Sequence, residues 1–428
     1  MPHSLPVKRH YQALYRCTSQ TISLRLLLLS IFLLLCTVPA SASGNRQKLP
    51  QPGFRSIGLW DPQSSFRMDI AAWYPSPRSP QTVNLDGWLI RVSKDAPPSS
   101  GKYPVILISH DSAEMRLSSH DLAGTLARNG FVVIAPTHPG DNNRDTSNLL
   151  STENFAARPR HLLKAFTNAI AHPVIGPLMD HTRIGLLGVG AGTATALQLA
   201  GISPDLSRLA AHCPQDDIAY MPLCSNWAKS FHSSMERAFV EAKTLHGENY
   251  FIPAFPTKDK ELPLPSEKEP VAEEEQPAPH NPQETAPPVT LADTTAPAPP
   301  LAHTDASVLA VGLLSPGLIA LFPDESLQNL TMPVGILASE NDVFYPPRHN
   351  VDKLLELLPQ RPALRIVQKA NHADLRPPCP PVHQETFPAL CGDPSPLAAD
   401  SRKIRNDFFV RFFQKHLGSP SFSLPPGK

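Results

Sequence analysis

Four short apolar runs, separated by helical stretches, constrain the fold of this chain more than any other feature. Residues 105–109 (VILIS), 131–135 (FVVIA), 184–187 (IGLL) and 334–338 (VGILA) carry no charge and do not alternate. A strand with one wet face alternates apolar and polar residues; an uninterrupted apolar run is buried on both faces. Helical patterns fall at residues 119–128, 162–170 and 192–200, the first stopping at Asn129-Gly130. Strands alternating with helices predict a mostly parallel central sheet with helices on both faces, an α/β fold. Residues 54–74 read as antiparallel strands turning near Asp61-Pro62, and further strands are expected at 308–313 and 364–367. A closing amphipathic helix over 400–417 sets Ile404, Phe408, Phe409, Phe412 and Phe413 on one face and stops at Gly418.

Proline marks where that pattern fails. The chain has 50 prolines in 428 residues, and they crowd the stretch 253–300, which also carries Glu273, Glu274 and Glu275. Such a segment buries too little apolar surface to offset its ordering entropy. The expectation is a disordered insertion over 253–305. It divides one domain into an N-terminal part (43–252) and a C-terminal part (306–428). A partner-binding arm is the sharper alternative for the same stretch.

Residues 1–42 read as an export signal. Lys8, Arg9, Arg16 and Arg25 precede an apolar run from 26 to 38, and Ala40-Ser41-Ala42 offers a small-residue cleavage site. The run falls short of the ~20 residues that a spanning helix needs, although an uncleaved anchor is the alternative. The expectation is a periplasmic or secreted protein with no stable membrane insertion after cleavage. Cys213, Cys224, Cys379 and Cys391 then remain, an even count that suits an oxidising compartment. Three pairings are open. Loop closure favours neighbours, Cys213 with Cys224 and Cys379 with Cys391. Zinc is the rival, but CxxC spacing is absent, so no metal is expected. The 38 basic and 38 acidic residues balance, which gives no pointer to nucleic acid.

Three segments carry the chemistry. Gly188-Val189-Gly190-Ala191-Gly192 lies between a strand and a helix, the setting of the G-x-S-x-G nucleophile elbow, with the central serine missing. A dinucleotide-binding G-x-G-x-x-G is the rival, and Thr193 breaks it. Asp342 follows the strand at 334–338, where an acid can orient a histidine. His372 follows the strand at 364–367. The order of elbow, acid and histidine is that of the α/β-hydrolases.

These residues, with Ala72-Trp73-Tyr74-Pro75, PVILISH (104–110), NGFVVIAPTHP (129–139), Arg158-Pro159, Pro316-Gly317 and VGILASEND (334–342), resemble a known family. The chain is similar to the exported predicted dienelactone hydrolases, relatives of the platelet-activating-factor acetylhydrolases, over about residues 54–417. The resemblance implies the α/β-hydrolase fold, carboxylic ester hydrolysis on small esters or phospholipid-type acyl groups, and no cofactor. It also implies an oxyanion hole from the backbone N–H groups of Ser112 and Ala191.

The departures weigh against that activity. Gly190 stands at the nucleophile position, Val189 where the family has histidine, and Asp111 where it has glycine. Losing a serine nucleophile costs on the order of a millionfold in turnover. The chain is therefore expected to be catalytically impaired and kept for binding a small ester or lipid-like ligand, or a partner. The alternative is an esterase using Ser112, Thr193 or water activated by His372. A carboxylate at Asp111 would oppose oxyanion charge if it points inward.

Overall fold

The computed structural model describes residues 50–61, 66–149, 152–205, 307–380, 384, 391–392 and 394–418. The expected export signal, the pair Cys213 and Cys224, and the proline-rich stretch lie outside them.

Ten strands form one sheet: β1 (Gln51–Asp61), β2 (Phe66–Ser76), β3 (Gln81–Leu85), β4 (Trp88–Lys94), β5 (Tyr103–Ser109), β6 (Val132–Pro136), β7 (Met179–Val189), β8 (Val308–Leu314), β9 (Val334–Ser339) and β10 (Ala363–Val367). Their spatial order is β10-β9-β8-β7-β5-β6-β2-β1-β4-β3. From β6 to β10 every neighbouring pair is parallel. The N-terminal edge adds the antiparallel pairs β1 with β2, β2 with β6, and β3 with β4. This is the α/β-hydrolase arrangement, a mostly parallel sheet with an antiparallel flank. The apolar runs lie at its centre, where side chains meet helices on both faces.

The alternation of those runs divides the core in two. Val105, Leu107, Val132 and Ile134 face the layer beneath α2 (Thr152–Ala171) and α3 (Gly192–Leu199). Ile106, Ile108, Val133 and Ala135 face the opposite layer, beneath α1 (His120–Arg128) and the closing helix. The strands thus bury both sets of side chains, as a run without alternation requires.

A further helix, α4 (Pro347–Leu357), precedes β10, and α5 (Pro396–Leu417) closes the domain. Pro396 begins α5 at the first turn, and the Ser395 side chain accepts from the Ala398 N–H. Phe412 and Phe413 of α5 pack against Gly185, Gly312 and Gly335 of three adjacent strands. A Cβ at these glycines would come within 2.6, 3.0 and 2.8 Å of the rings. Among the described residues no helix is long and apolar enough to cross a membrane.

Candidate functional site

The loops that follow β5, β7, β9 and β10 converge at one end of the parallel strands. The turn after β7 is shaped by its glycines. A Cβ on Gly188 would lie 2.6 Å from the Gly192 carbonyl oxygen, and one on Gly192 would lie 2.1 Å from that of Ser109. Gly190 itself has φ of +52°, a left-handed conformation that a side chain makes costly. The bond from the Gly190 N–H to the Leu314 carbonyl (2.9 Å) holds the turn against the end of β8.

Asp342, on the loop after β9, accepts from the backbone N–H groups of Phe344 (3.0 Å) and Tyr345 (2.9 Å) through Oδ1. Its Oδ2 takes the Nδ1 proton of His372 at 2.7 Å. Burial opposes ionisation of Asp342, but His372 and the Tyr345 N–H outweigh it and hold its pKa below the usual carboxylate value. The imidazole packs beside the rings of Phe344 and Tyr345. Asp342 and His372 are thus brought together.

The other half of the site departs from expectation. The carboxylate of Asp111 points inward, into the space above Gly190. A Cβ at Gly190 would lie 2.0 Å from Asp111 Oδ2 and 2.3 Å from Oδ1. Oδ1 accepts from the N–H of Ser112 (2.7 Å), the N–H of Ala191 (2.8 Å) and the hydroxyl of Tyr345 (2.7 Å). The first two are the donors expected to form the oxyanion hole, and both are taken. Oδ2 accepts from Arg376 Nη2 at 2.6 Å and lies 3.4 Å from His372 Nε2. Arg376 also pairs through Nη1 with Glu114 Oε1. Asp111, Glu114 and Arg376 are each at most 5% exposed.

Sequence reasoning gave no role to Arg376, Tyr345 or Glu114. Arg376 stands four residues after His372, and Glu114 three after Asp111, each near a residue already singled out. Nothing local reveals that they meet, because Arg376 and Asp111 are 265 residues apart. Ser112 and Thr193 were candidate nucleophiles. Thr193 is fully buried, and its hydroxyl accepts from the Gly317 N–H at 3.4 Å.

Charge balance explains why the carboxylate stays ionised. Burial favours the neutral acid, but His372, Arg376 and the Ala191 N–H together hold Asp111 well below the usual range. Glu114 is pushed up, by burial and by Asp111, against the pull of Arg376. For His372, burial is the largest single influence and lowers the pKa. Asp342 and the bonds to both aspartates outweigh it and Arg376, so the net direction is upward. Arg376 Nη2 also lies 2.5 Å from Nε2. A guanidinium only donates, so in that contact Nε2 is an acceptor and the ring is neutral, its proton on Nδ1 toward Asp342.

A second buried cluster sets the Asp111 loop. Arg158 on α2 pairs with Asp141 (2.6 Å) and donates to the His110 carbonyl. Asp141 accepts from the Ala113 N–H at 2.8 Å, and Ala113 has φ of +58°. His110 Nδ1 donates to the Asp111 carbonyl (2.7 Å), and its Nε2 accepts from the His138 N–H at 3.0 Å. These bonds fix the backbone on both sides of Asp111, so the inward pose is built in.

Two clefts flank the Arg376–Glu114 pair. One, of about 280 Å³, is lined by Val189, Leu314, Ser315, His372, Leu375 and Arg376. The other, of about 380 Å³, reaches Trp88, Met115 and Asn143, with the disulfide Cys379–Cys391 in its wall. That disulfide is the expected neighbour pairing. Among the described residues, no cluster of histidine, cysteine or carboxylate side chains could hold a metal ion.

A family model described as the dienelactone hydrolase family matches residues 90–228, under half of the chain. The matched span carries Asp111 and Gly190 but ends before Asp342. A search of curated proteins found no significant match. Among solved structures, a ferulic acid esterase from Streptomyces cinnamoneus is similar at 16% identity and a TM-score of 0.48. The alignment covers 89% of this chain and 95% of the esterase.

Proposed function

We propose that this chain is an exported α/β-hydrolase-fold protein that does not hydrolyse carboxylic esters by the serine route. Its site serves to bind a small ester or lipid-like ligand, or a partner. One observation carries the reading. The Asp111 carboxylate fills the space a side chain at Gly190 would take and accepts from the Ser112 and Ala191 N–H groups. An ester carbonyl entering this site meets a negative charge in place of two free donors. Such donors are worth ~3 kcal/mol each to a developing oxyanion. Ester hydrolysis by water activated at His372 needs the same donors, so it is the weaker reading.

The test is direct. Purified, folded protein is given p-nitrophenyl acetate and, separately, a fluorophosphonate probe for activated serines. Turnover at the level of buffer and no covalent label are expected. Turnover at an ordinary enzymatic rate, or label on Ser112, overturns the reading. Export rests on the N-terminal pattern, and a mature protein beginning near Ser43 outside the cytoplasm is expected from it.

A further inference from the structure

Arg376 ties the site together, yet the backbone that carries it has few means of its own to stay in place. Residues 376–380 belong to no helix or strand. Pro377, Pro378 and Pro380 have no N–H to give, so the stretch is held mostly through its carbonyls and the Cys379 side chain. We propose that the Cys379–Cys391 disulfide is a redox-sensitive clamp on Arg376. While it is closed, Arg376 is held on Asp111 and Glu114; its reduction loosens that tie and lets water reach it. The clamp acts on the tie itself, whether or not esters are hydrolysed at the site.

Gly392 carries the effect from the disulfide to Arg376. The bond joins cysteines twelve residues apart in sequence and sets their Cα atoms 5.1 Å apart. Gly392 follows Cys391, and its N–H donates to the Pro377 carbonyl at 3.1 Å. Its backbone lies against the Arg376–Pro377 peptide. A Cβ at Gly392 would come within 1.9 Å of the Arg376 carbonyl oxygen and 2.7 Å of the Pro377 carbonyl carbon. From α5, Arg402 donates to the Arg376 carbonyl (3.2 Å) and Arg405 to the Leu375 carbonyl. These arginines secure the chain up to Arg376; Gly392 and the disulfide secure it beyond. With the disulfide open, the Gly392 bond must hold the two ends of the loop together, and one backbone hydrogen bond contributes little net stability.

The wall of the cleft links the clamp to the charges. Cys379, Cys391 and Pro377 line the same cleft as Glu114 and Arg376. Loosening that wall hydrates the ion pair, and an ion pair in water is far weaker than one in a dry interior. The same cleft gives a small dithiol its approach to the sulfurs. One thiolate of the dithiol attacks a cysteine sulfur, the S–S bond breaks, and the other sulfur leaves as a thiolate. The second thiol of the reagent displaces the first cysteine and closes a disulfide within the reagent. Two electrons and two protons pass to the pair, which ends as two thiols.

His372 reports the event. It faces Asp342 at Nδ1 and both Asp111 and Arg376 at Nε2, with Tyr345 beside the ring and Glu114 beyond Arg376. Burial is the largest influence holding its pKa down, and Arg376 adds to it; the two aspartates pull it up. Loosening Arg376 and admitting water weakens both downward influences, so reduction raises the His372 midpoint.

The experiment follows the His372 ring by NMR across pH in the whole folded protein, before and after dithiothreitol, with the signal assigned by its loss in His372→Gln. Thiol labelling and mass spectrometry verify that Cys379 and Cys391 are reduced. The midpoint should rise by about one pH unit, the scale of a charge within a few ångströms. In Arg376→Met it should start higher and gain little on reduction. Cys379→Ala with Cys391→Ala should match the reduced protein and ignore dithiothreitol, which controls for the remaining cysteines. Urea denaturation gives a second reading that needs no cysteine variant. Reduction should lower the folding equilibrium constant about tenfold more in wild type than in Arg376→Met, because the loop-closure effect on the unfolded chain is common to both. A His372 midpoint that reduction leaves unchanged overturns the proposal, as do equal losses in wild type and Arg376→Met. A disulfide that dithiothreitol cannot open in the folded protein overturns it as well.

Discussion

Asp342 and His372 face Asp111 and Gly190 across one site, and the two halves are held by different means. Asp342 is fixed by backbone N–H groups within three residues of itself, and it in turn fixes the ring. That half needs no nucleophile to persist. The half around Gly190 has no side chain at the tip of its turn. Asp111 occupies the space, tied down by Arg376 from a segment 265 residues away. The difference teaches that a turn with no side chain at its tip need not leave an empty hole. A buried polar neighbour with donors in reach takes the place, because unpaired N–H groups are costly.

The largest effect should come from breaking the tie on the Asp111 side. Arg376→Met leaves two buried carboxylates without their cation, and such losses cost about 3–5 kcal/mol. Urea denaturation should show it. His372→Ala, on the other side, should cost only about 1–3 kcal/mol, since Asp342 keeps its two backbone donors. Equal losses in the two variants would erase the distinction between the halves.

Acid should act on the two halves with opposite signs. His110 and His138 lie under the Asp111 loop. Burial, then Arg158, holds His110 down at about 3 and His138 well below its ordinary 6.5. The unfolded rings take protons near pH 6.5 that the folded rings refuse. The stability these two contribute above pH 6.5 is therefore lost as pH falls from 6.5 toward 3. His372 is raised, so its contribution is full below pH 6.5 and is lost as pH rises through its folded value. Below pH 6.5 only the two lowered rings still act, and the urea midpoint should fall from roughly pH 6.5 downward. A midpoint that stays level or rises there contradicts the account. The fall should be shallower in His138→Gln.

The smallest effect belongs to Tyr345→Phe. It removes one of the four donors on Asp111, worth about 1 kcal/mol, and leaves the other three. A loss as large as that of Arg376→Met would show that the hydroxyl, not the guanidinium, holds the carboxylate in place.

The sheet was legible because its central strands bury both faces, and 105–109 or 334–338 have no other soluble use. The flank of β3 and β4 was not, since Gln81–Leu85 is an exposed edge with little apolar pattern. Helix α4 has Val351 and Leu354 buried at helical spacing after Pro347, a signal present in the text but passed over. At the site, Gly190, Asp342 and His372 could be named from motif and order. The direction of Asp111 could not, because it depends on Arg376, Tyr345 and Ala191, which approach it from three other loops. Long-range polar pairing leaves no periodicity in a sequence.

Ester hydrolysis by four proteins side by side tests most directly whether Asp111 fills the space a side chain at Gly190 would need: wild type, Gly190→Ser, Asp111→Gly and the double variant. A serine side chain at Gly190 cannot coexist with a carboxylate 2.0 Å from its Cβ, so Gly190→Ser alone should stay near the rate of wild type. Asp111→Gly alone frees the donors but supplies no nucleophile, and should stay there too. Only the double variant should gain p-nitrophenyl acetate turnover, toward part of the millionfold that a nucleophile is worth. Adding His372→Ala should remove that gain. Gly190→Ser alone matching the double variant would contradict the account, for it would mean that Asp111 does not occupy the site.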